Sequence, residues 1–315
     1  MRLNFTYIYQ IGKIKTVAKI SVVINTLNEE EGVKKALQSV KWADEILVCD
    51  MHSEDKTVEI AKKLGARVFY HKRLSYVEPA RNFAISKASN EWILILDPDE
   101  EIPEKLAKKL QEMAKKVILD HVEIPRKNII FGKWMKASMW WPDHNIRFFK
   151  KGKVSWEKVG IHRPPKTTGE GLKLPAEENL AIIHYHYIST AQFIERMNRY
   201  TNIQAEELIK SGYRFAWTDL IAKPLGEFLG RFFANRGFED GLHGLALSLL
   251  QAYSFLVMYL KIWEREKFKE QEITLDEVKE VIKRNGQEIN WWLKYGNLSN
   301  QPFKRFFQKV RNKLK

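Results

Sequence analysis

Three observations predict an α/β protein, with a mostly parallel sheet flanked by helices and a helical extension behind it. Four short apolar runs recur at intervals of about 20 to 26 residues, the repeat of strand–helix–strand units. The segments between them carry apolar residues at helical period. From about residue 190 the pattern becomes helical and aromatic throughout. The expected division is therefore residues 1–190 for the α/β part and 191–315 for the helical part.

The apolar runs are "KISVVIN" (19–25), "EILVCD" (45–50), "RVFYH" (67–71) and "WILILD" (92–97). They are rich in β-branched residues and nearly continuous, as strands covered on both faces should be. Between them lie "EEGVKKALQSV", "DKTVEIAKKLG" with Gly65 as its stop, and "VEPARNFAISKA" with Pro79 early in the helix. Right-handed crossovers then make the four strands parallel. After about residue 117 the alternation ends. "VEIPRKNIIFGKW", "IRFFKKGKVSW" and "LAIIHYHYI" read as further strands, the first two with antiparallel turns.

In the last part, "FIERMNRYTNIQAEELIKSG" is amphipathic and stops at Gly212, and residues 241–260 are apolar nearly all round. "TLDEVKEVIKRNG" opens on a Thr274/Glu277 capping box and should stop at Asn285–Gly286. The tail, "KRFFQKVRNKLK", is basic. Three readings of 241–260 stand beside each other: an interfacial helix, a core or homo-oligomer contact, and a membrane span.

Bulk composition narrows the partners. The 53 Lys and Arg against 39 Asp and Glu leave a net charge of +14, which points to an anionic partner such as a phosphorylated substrate, an anionic membrane surface or nucleic acid. The single cysteine, Cys49, excludes an internal disulfide and a Cys-based zinc cluster and suits a reducing compartment. The N-terminal segment lacks the pattern of a signal peptide, so a cytosolic protein is expected. The aromatics sit with leucines in helices, not on a basic sheet, which argues against nucleic-acid binding.

All four strand ends are polar: Asn25, Asp50, His71 and Asp97. In open α/β sheets the ligand crevice lies at the carboxyl ends of the strands. There Asp97 and Asp99, one residue apart, can share a hard cation with a diphosphate, or simply precede a helix near Pro103. Asn25, Thr26, Asn28 and Glu29 after the first strand, and Asp50 and Ser53 after the second, can present polar groups to a nucleotide. No dinucleotide fingerprint and no Walker loop is present.

The stretch from "ISVVINTLNEEEG" through "DMHSEDKT", "EPARN" and "WILILDPDEEI" resembles glycosyltransferase family 2 with the GT-A fold. It is most similar to the lipopolysaccharide-core β-1,4-glucosyltransferase type. The likeness continues in "WWPDHNIRFFKKGKVSW", "GIHRP" and "IIHYHYIS", and extends over roughly residues 20 to 265. It implies an inverting hexosyltransferase that moves a sugar, glucose by this likeness, from a nucleotide-sugar donor, UDP-linked by preference, to a hydroxyl of a lipid-linked or lipopolysaccharide-type acceptor. It further implies Asp50 at the base, Arg81 near the phosphates, and Asp97 and Asp99 at the diphosphate and a Mn²⁺ or Mg²⁺ ion.

Inversion needs a carboxylate to take the acceptor's proton. Relatives commonly read Val-His-Glu where this chain has Ile161-His162-Arg163, so the candidates become Asp143 first and Glu157 second. His162 and His184 match family positions and are candidate metal ligands. His186 shares a strand face with His184. Competing classes were a sugar-phosphate nucleotidyltransferase, which would need a Gly-rich basic loop after the first strand, and a nucleic-acid-binding protein. The expected location is cytoplasmic, peripheral on the inner face of the cell membrane.

Overall fold

The computed structural model describes residues 18–74, 78–115, 118–156 and 164–295. Its strands are β1 (Ile20–Thr26), β2 (Glu45–Asp50), β3 (Arg67–Tyr70), β4 (Trp92–Leu96), β5 (Glu100–Glu101) and β6 (His121–Ile130). There follow β7 (Lys133–Trp134), β8 (Asp143–Lys150), β9 (Val154–Ser155), β10 (Lys166–Thr167), β11 (Gly171–Lys173) and β12 (Ile182–Tyr187). Helices α1 (Val33–Ser39), α2 (Thr57–Lys63), α3 (Glu78–Ser86) and α4 (Glu104–Ala114) fall among the strands. Helices α5 (Thr190–Lys210), α6 (Asp219–Leu229), α7 (Leu242–Arg265) and α8 (Leu275–Tyr295) follow them.

The main sheet has the order β3-β2-β1-β4-β8-β6-β12-β5, with β7 and β11 attached to β6. Strands β1, β2, β3 and β4 are parallel, with Ile24 opposite both Val48 and Leu96. β8 then joins β4 antiparallel. A parallel half made by crossover helices thus passes into a part built from hairpins and longer returns. Helix α2 stops as expected, with Gly65 in the left-handed region (φ 85°).

The chain forms two compact units, and the division is discontinuous. The first takes residues 1–125, 144–159 and 163–182; the second takes 126–143, 160–162 and 183–315. The helical part thus claims the strand–turn–strand segment 126–143, which the sequence pattern assigned to the α/β part. In the first unit, β1, β2 and β4 are buried on both faces. One layer gathers Val22, Ile24, Leu94 and Leu96 with α1 and α4, and the other gathers Val23, Ile93 and Ile95 with α3. In the second unit, Ile130, Met135, Tyr187, Phe193 and Leu247 form one core, and α5, α6 and α7 meet around Phe215, Tyr259 and Ile262.

One element differs from the sequence pattern. Helix α8 opens on the expected box, where the Thr274 amide donates to Glu277 (2.8 Å), but it does not stop at Asn285–Gly286. Asn285 donates its amide to the Val281 carbonyl (2.9 Å) in its own helix. Beyond it Trp292 stacks on Phe233, so an apolar face carries the helix past the glycine. The helix expected near Pro103 is α4, with Pro103 as its N-cap; Asp97, Asp99 and Glu100 precede it, and Glu104 lies in its first turn.

Candidate active site

In the first unit the loops after β1 and β2 are stitched to each other. The Asn28 amide donates to Ser53 Oγ (2.8 Å), and the Glu54 amide donates back to Asn28 Oδ1 (2.8 Å). The Glu29 amide donates to Thr57 Oγ1 (2.8 Å) and the Glu30 amide to Asp55 (3.0 Å). Burial works to raise the Asp55 carboxyl, but hydrogen bonds from Thr57 and the Glu30 backbone outweigh it and hold the group below its usual range. Asn28 sits at φ 56°, a left-handed position that asparagine tolerates better than most residues.

Asp50 is the hinge of this stitching. It is 0% exposed and accepts from Thr26 Oγ1 (2.9 Å), Ser53 Oγ (2.6 Å) and the Ser53 amide (2.8 Å). Its oxygens point inward to its own loops, so it sets where Thr26 and Ser53 present their groups. Asn25, on the adjacent strand, is buried, and neither its amide nitrogen nor its oxygen has a hydrogen-bond partner among the described residues. Such an orphan pair is costly unless a solvent molecule or ligand completes it.

At the end of β4 the acids meet two arginines. Asp97 receives Arg81 (2.9 Å) on one oxygen and Arg147 on the other. Arg147 also donates to Glu100 (2.9 Å), whose second oxygen accepts the Asp97 amide (2.9 Å). Glu100 is 0% exposed and Arg147 is nearly as buried. Burial disfavours the Arg147 cation, but Asp97, Glu100 and, more remotely, Asp99 outweigh it and keep the guanidinium charged. Arg81 is placed by α3, where the Asn82 side chain exchanges hydrogen bonds with the Trp156 backbone (2.7 and 3.0 Å). Gly32 lets the β1–α1 loop come close, since a Cβ there would lie 2.7 Å from the Pro98 carbonyl oxygen.

In the second unit Asp143 opens β8. Arg126 donates to it through Nε (2.9 Å) and Nη2 (2.6 Å), and Asn128 through its amide (3.2 Å). The Asn128 oxygen meets His184 Nδ1 at 2.6 Å, and His184 Nε2 lies 3.3 Å from His186 Nδ1. A carboxylate, an amide and two imidazoles therefore run in series. The alternation of β12 does place His184 and His186 on one face, as their spacing predicts.

Of the residues expected from sequence, Thr26, Asn28, Glu29, Asp50 and Ser53 share one network, and Arg81 and Asp97 share another. Asp99 stands half-buried beside it. Asp143 and His184 are joined through Asn128. Glu157 and His162 lie outside the described residues. Sequence reading missed Arg147, Glu100, Arg126 and Asn128 as members of these clusters. The signal for Arg147 was a lone cation inside the apolar strand run "NIRFF".

Could the first cluster hold a divalent ion? Among the described residues no three His, Cys, Asp or Glu side chains gather as a metal cage. Both oxygens of Asp97 are engaged by arginine, while Asp99 is half-buried just beyond the strand end. This donor set fits an ion that arrives with a diphosphate and needs only one or two protein carboxylates, as Mg²⁺ commonly does. His184, with both ring nitrogens engaged beside Asn128 and His186, belongs to the other cluster.

Comparison with known proteins places the chain in a family. The sequence model of glycosyl transferase family 2 matches residues 21–168. An uncharacterized glycosyltransferase of Rickettsia typhi is 32% identical over 263 residues, covering 78% of this chain and 87% of the relative. The lipopolysaccharide core biosynthesis glycosyltransferase LpsC of Rhizobium meliloti is 24% identical over 265 residues, 79% of this chain and 94% of LpsC. Among solved structures, residues 1–349 of TarS from S. aureus align over 77% of this chain and 91% of that one, at 17% identity and a TM-score of 0.43. With sequence likeness running through both the strand-end loops and the helical part, the chain belongs to glycosyl transferase family 2.

Proposed function

We propose that the protein transfers a hexose, glucose by the family likeness, from a nucleotide-sugar donor to a hydroxyl of a lipid-linked or lipopolysaccharide-type glycan. UDP is the favoured nucleotide, and the anomeric centre inverts. The similarity to LpsC supports the acceptor class. The observation that carries the donor half is the cluster of Arg81 and Arg147 around Asp97 at the end of β4. It places buried cationic charge beside Asp99, where a diphosphate and its counter-ion would meet.

Asp99, with Asp97 behind it, would hold Mn²⁺ or Mg²⁺. When bound, such an ion supplies Lewis-acid neutralisation of the departing nucleoside diphosphate. The chain's own groups do the rest. Asp97 helps keep Arg147 charged and holds both arginines in place, and Arg81 lies toward the phosphates. Asp50 fixes Thr26 and Ser53, so that they line a nucleotide pocket together with Asn25, Asn28 and Glu29. The orphan amide of Asn25 supports this, because a ligand there would satisfy it. Asp143 serves as the base that takes the acceptor's proton, with Arg126 and Asn128 fixing its carboxylate. Glu157 is the alternative base.

Asp99→Asn should lower UDP-glucose hydrolysis and transfer in Mn²⁺ by at least about tenfold while the circular dichroism spectrum stays unchanged. Near-normal turnover that still requires metal would move the ion elsewhere.

We also read the protein as peripheral on the inner face of the membrane. Helix α7 is long and apolar enough to cross a bilayer by length and composition. Leu242, Leu249, Tyr253 and Leu260 are exposed along it at spacings that keep them on one side, as in an interfacial helix. The basic tail lies outside the described residues. Sedimentation with anionic liposomes, partly reversed by salt, is the expected result. Resistance to both salt and alkaline carbonate would mean a span, and no binding would mean a helix that contacts protein.

A further inference from the structure

Asp240, a buried carboxylate of the second unit, lies outside the donor and base clusters. It ends a short 3₁₀ turn, Gly237–Asp240, that leads into α7. Among the described residues no lysine or arginine pairs with its carboxylate. Backbone amides meet it instead: Lys136 at 3.0 Å and Ala137 at 2.8 Å. Burying a charge is costly unless donors are fixed around it, so the two amides and the carboxylate hold one another in place. The turn itself is held from two sides. Lys133 Nζ donates to the Asp240 carbonyl (2.6 Å), and a Cβ added at Gly244 would overlap the Gly237 carbonyl oxygen.

From Asp240 an unbroken line of hydrogen bonds leads to Asp143. The Ala137 amide donates to Asp240, and the Ala137 carbonyl accepts the Trp140 amide (2.9 Å). The Trp140 carbonyl accepts the side-chain amide of Asn128 (2.8 Å), and that same nitrogen reaches Asp143 (3.2 Å). A carbonyl and a carboxylate can only accept, which fixes the Asn128 nitrogen on their side and its oxygen toward His184. Asn128 is buried, so it cannot turn away without leaving acceptors unpaired. The loop within this line is strained. Ser138 and Met139 hold φ of 53° and 68°, left-handed positions that persist only where the surroundings dictate them. Released from Asp240, the loop would relax, and the Trp140 carbonyl and Asn128 would move with it.

Resting on the reading that Asp143 takes the acceptor's proton, we propose that Asp240 is the positioning residue for that base, acting through Ala137, Trp140 and Asn128. Asp240 itself touches no substrate. It fixes the strained loop, the loop fixes Asn128, and Asn128 sets the direction of the Asp143 carboxylate. Arg126 holds Asp143 from its other side (2.9 and 2.6 Å), so loss of Asp240 tilts the base and does not release it. A base must lie within hydrogen-bond reach of the proton it takes, and that reach is what a tilt spoils.

Steady-state hydrolysis of UDP-glucose in Mn²⁺, with water as the acceptor, tests this. Asp143→Asn should lower kcat by about a hundredfold or more, the usual worth of a general base. Asp240→Asn keeps the side chain's size and replaces one acceptor by a donor. Its kcat should fall by about tenfold, less than the hundredfold of a base displaced by an ångström, with KM for UDP-glucose unchanged. The double variant should be no slower than Asp143→Asn, because a residue that acts only through Asp143 then has nothing to position. Amide exchange should quicken across residues 136–143 in Asp240→Asn and stay as in the wild type across β1 to β4. Lys133→Met, which loosens the same turn without touching the carboxylate, should show this pattern at about threefold and serves if Asp240→Asn does not fold. Losses that multiply in the double variant, a raised KM at unchanged kcat, or unaltered exchange in 136–143 would overturn the positioning role. A wild-type kcat in Asp143→Asn would sink the base reading itself, and the positioning role with it.

Discussion

The strand-end cluster of the first unit and the Asp143 loop of the second are held by contacts of different reach. Thr26 bonds Asp50, Asn28 bonds Ser53 and Glu29 bonds Thr57 across 24, 25 and 28 residues. Lys136 and Ala137 reach Asp240 across 104 and 103 residues, and His243 reaches the Phe131 carbonyl across 112. The first arrangement closes between neighbouring βα turns. The second forms only when the turn ending at Asp240 and the start of α7 are in place. Closure entropy grows slowly with loop length, so the long ties are not much weaker. What differs is dependence: the nucleotide-side loops rely on their neighbours, and the Asp143 loop relies on a distant helix. Burial differs as well, because the first cluster encloses formal charges while the second buries backbone amides under one carboxylate.

If that contrast is right, removing the buried cation should do the most damage. Arg147→Met leaves Asp97 and the fully buried Glu100 without their shared partner, and denaturant unfolding should show a loss of about 3–5 kcal/mol. A loss no larger than that of an exposed pair would mean that water, not Arg147, compensates the acids. Next comes the long tie. Asp240→Ala orphans two backbone amides, so a loss of about 2–3 kcal/mol is expected, with UDP binding by calorimetry unchanged. Impaired UDP binding in a folded Asp240→Ala protein would erase the distinction between the two regions. The smallest effect belongs to the local stitching. Asp55 has its folded pKa depressed, so its contribution is full above the ordinary carboxylate range and fades as pH falls through the folded value. Asp55→Asn should therefore cost about 0.5 kcal/mol at pH 7, a figure kept small by solvent screening, and almost nothing at pH 2. A pH-independent cost would return Asp55 to simple packing.

Much of the first region was readable because its physics is local. Continuous β-branched runs can only be strands covered on both faces, and their polar ends at Asp50 and Asp97 follow from that register. The Asp97 to Glu101 acids were harder, since one pattern serves a helix start and a charge cluster alike. Which one applies depends on Arg147, about 50 residues away, whose place in β8 nothing nearby announces. Asp240 had no local signal at all, because its oxygens accept from the amides of a loop a hundred positions earlier. The run through Gly286 fails for a related reason: the stop signal is local, and the stacking of Trp292 on Phe233 that overrides it is not.

The discontinuous division has a practical consequence for anyone recombining members of this family. A chimaera cut at a single point near residue 190 would separate segment 126–143 from the helices that hold it. The amides of Lys136 and Ala137 would then meet whatever the foreign sequence offers in place of Asp240. The same holds at Gly237, where an added Cβ would lie 2.4 Å from Ser138 Oγ and 2.8 Å from the Arg231 carbonyl oxygen. Residues 126–143 and the helical portion from 183 onward therefore form one exchangeable cassette in two pieces, with crossovers at 125/126, 143/144 and 182/183. A graft carrying both parts keeps its own pinned loop, and a graft carrying one of them inherits half a clasp.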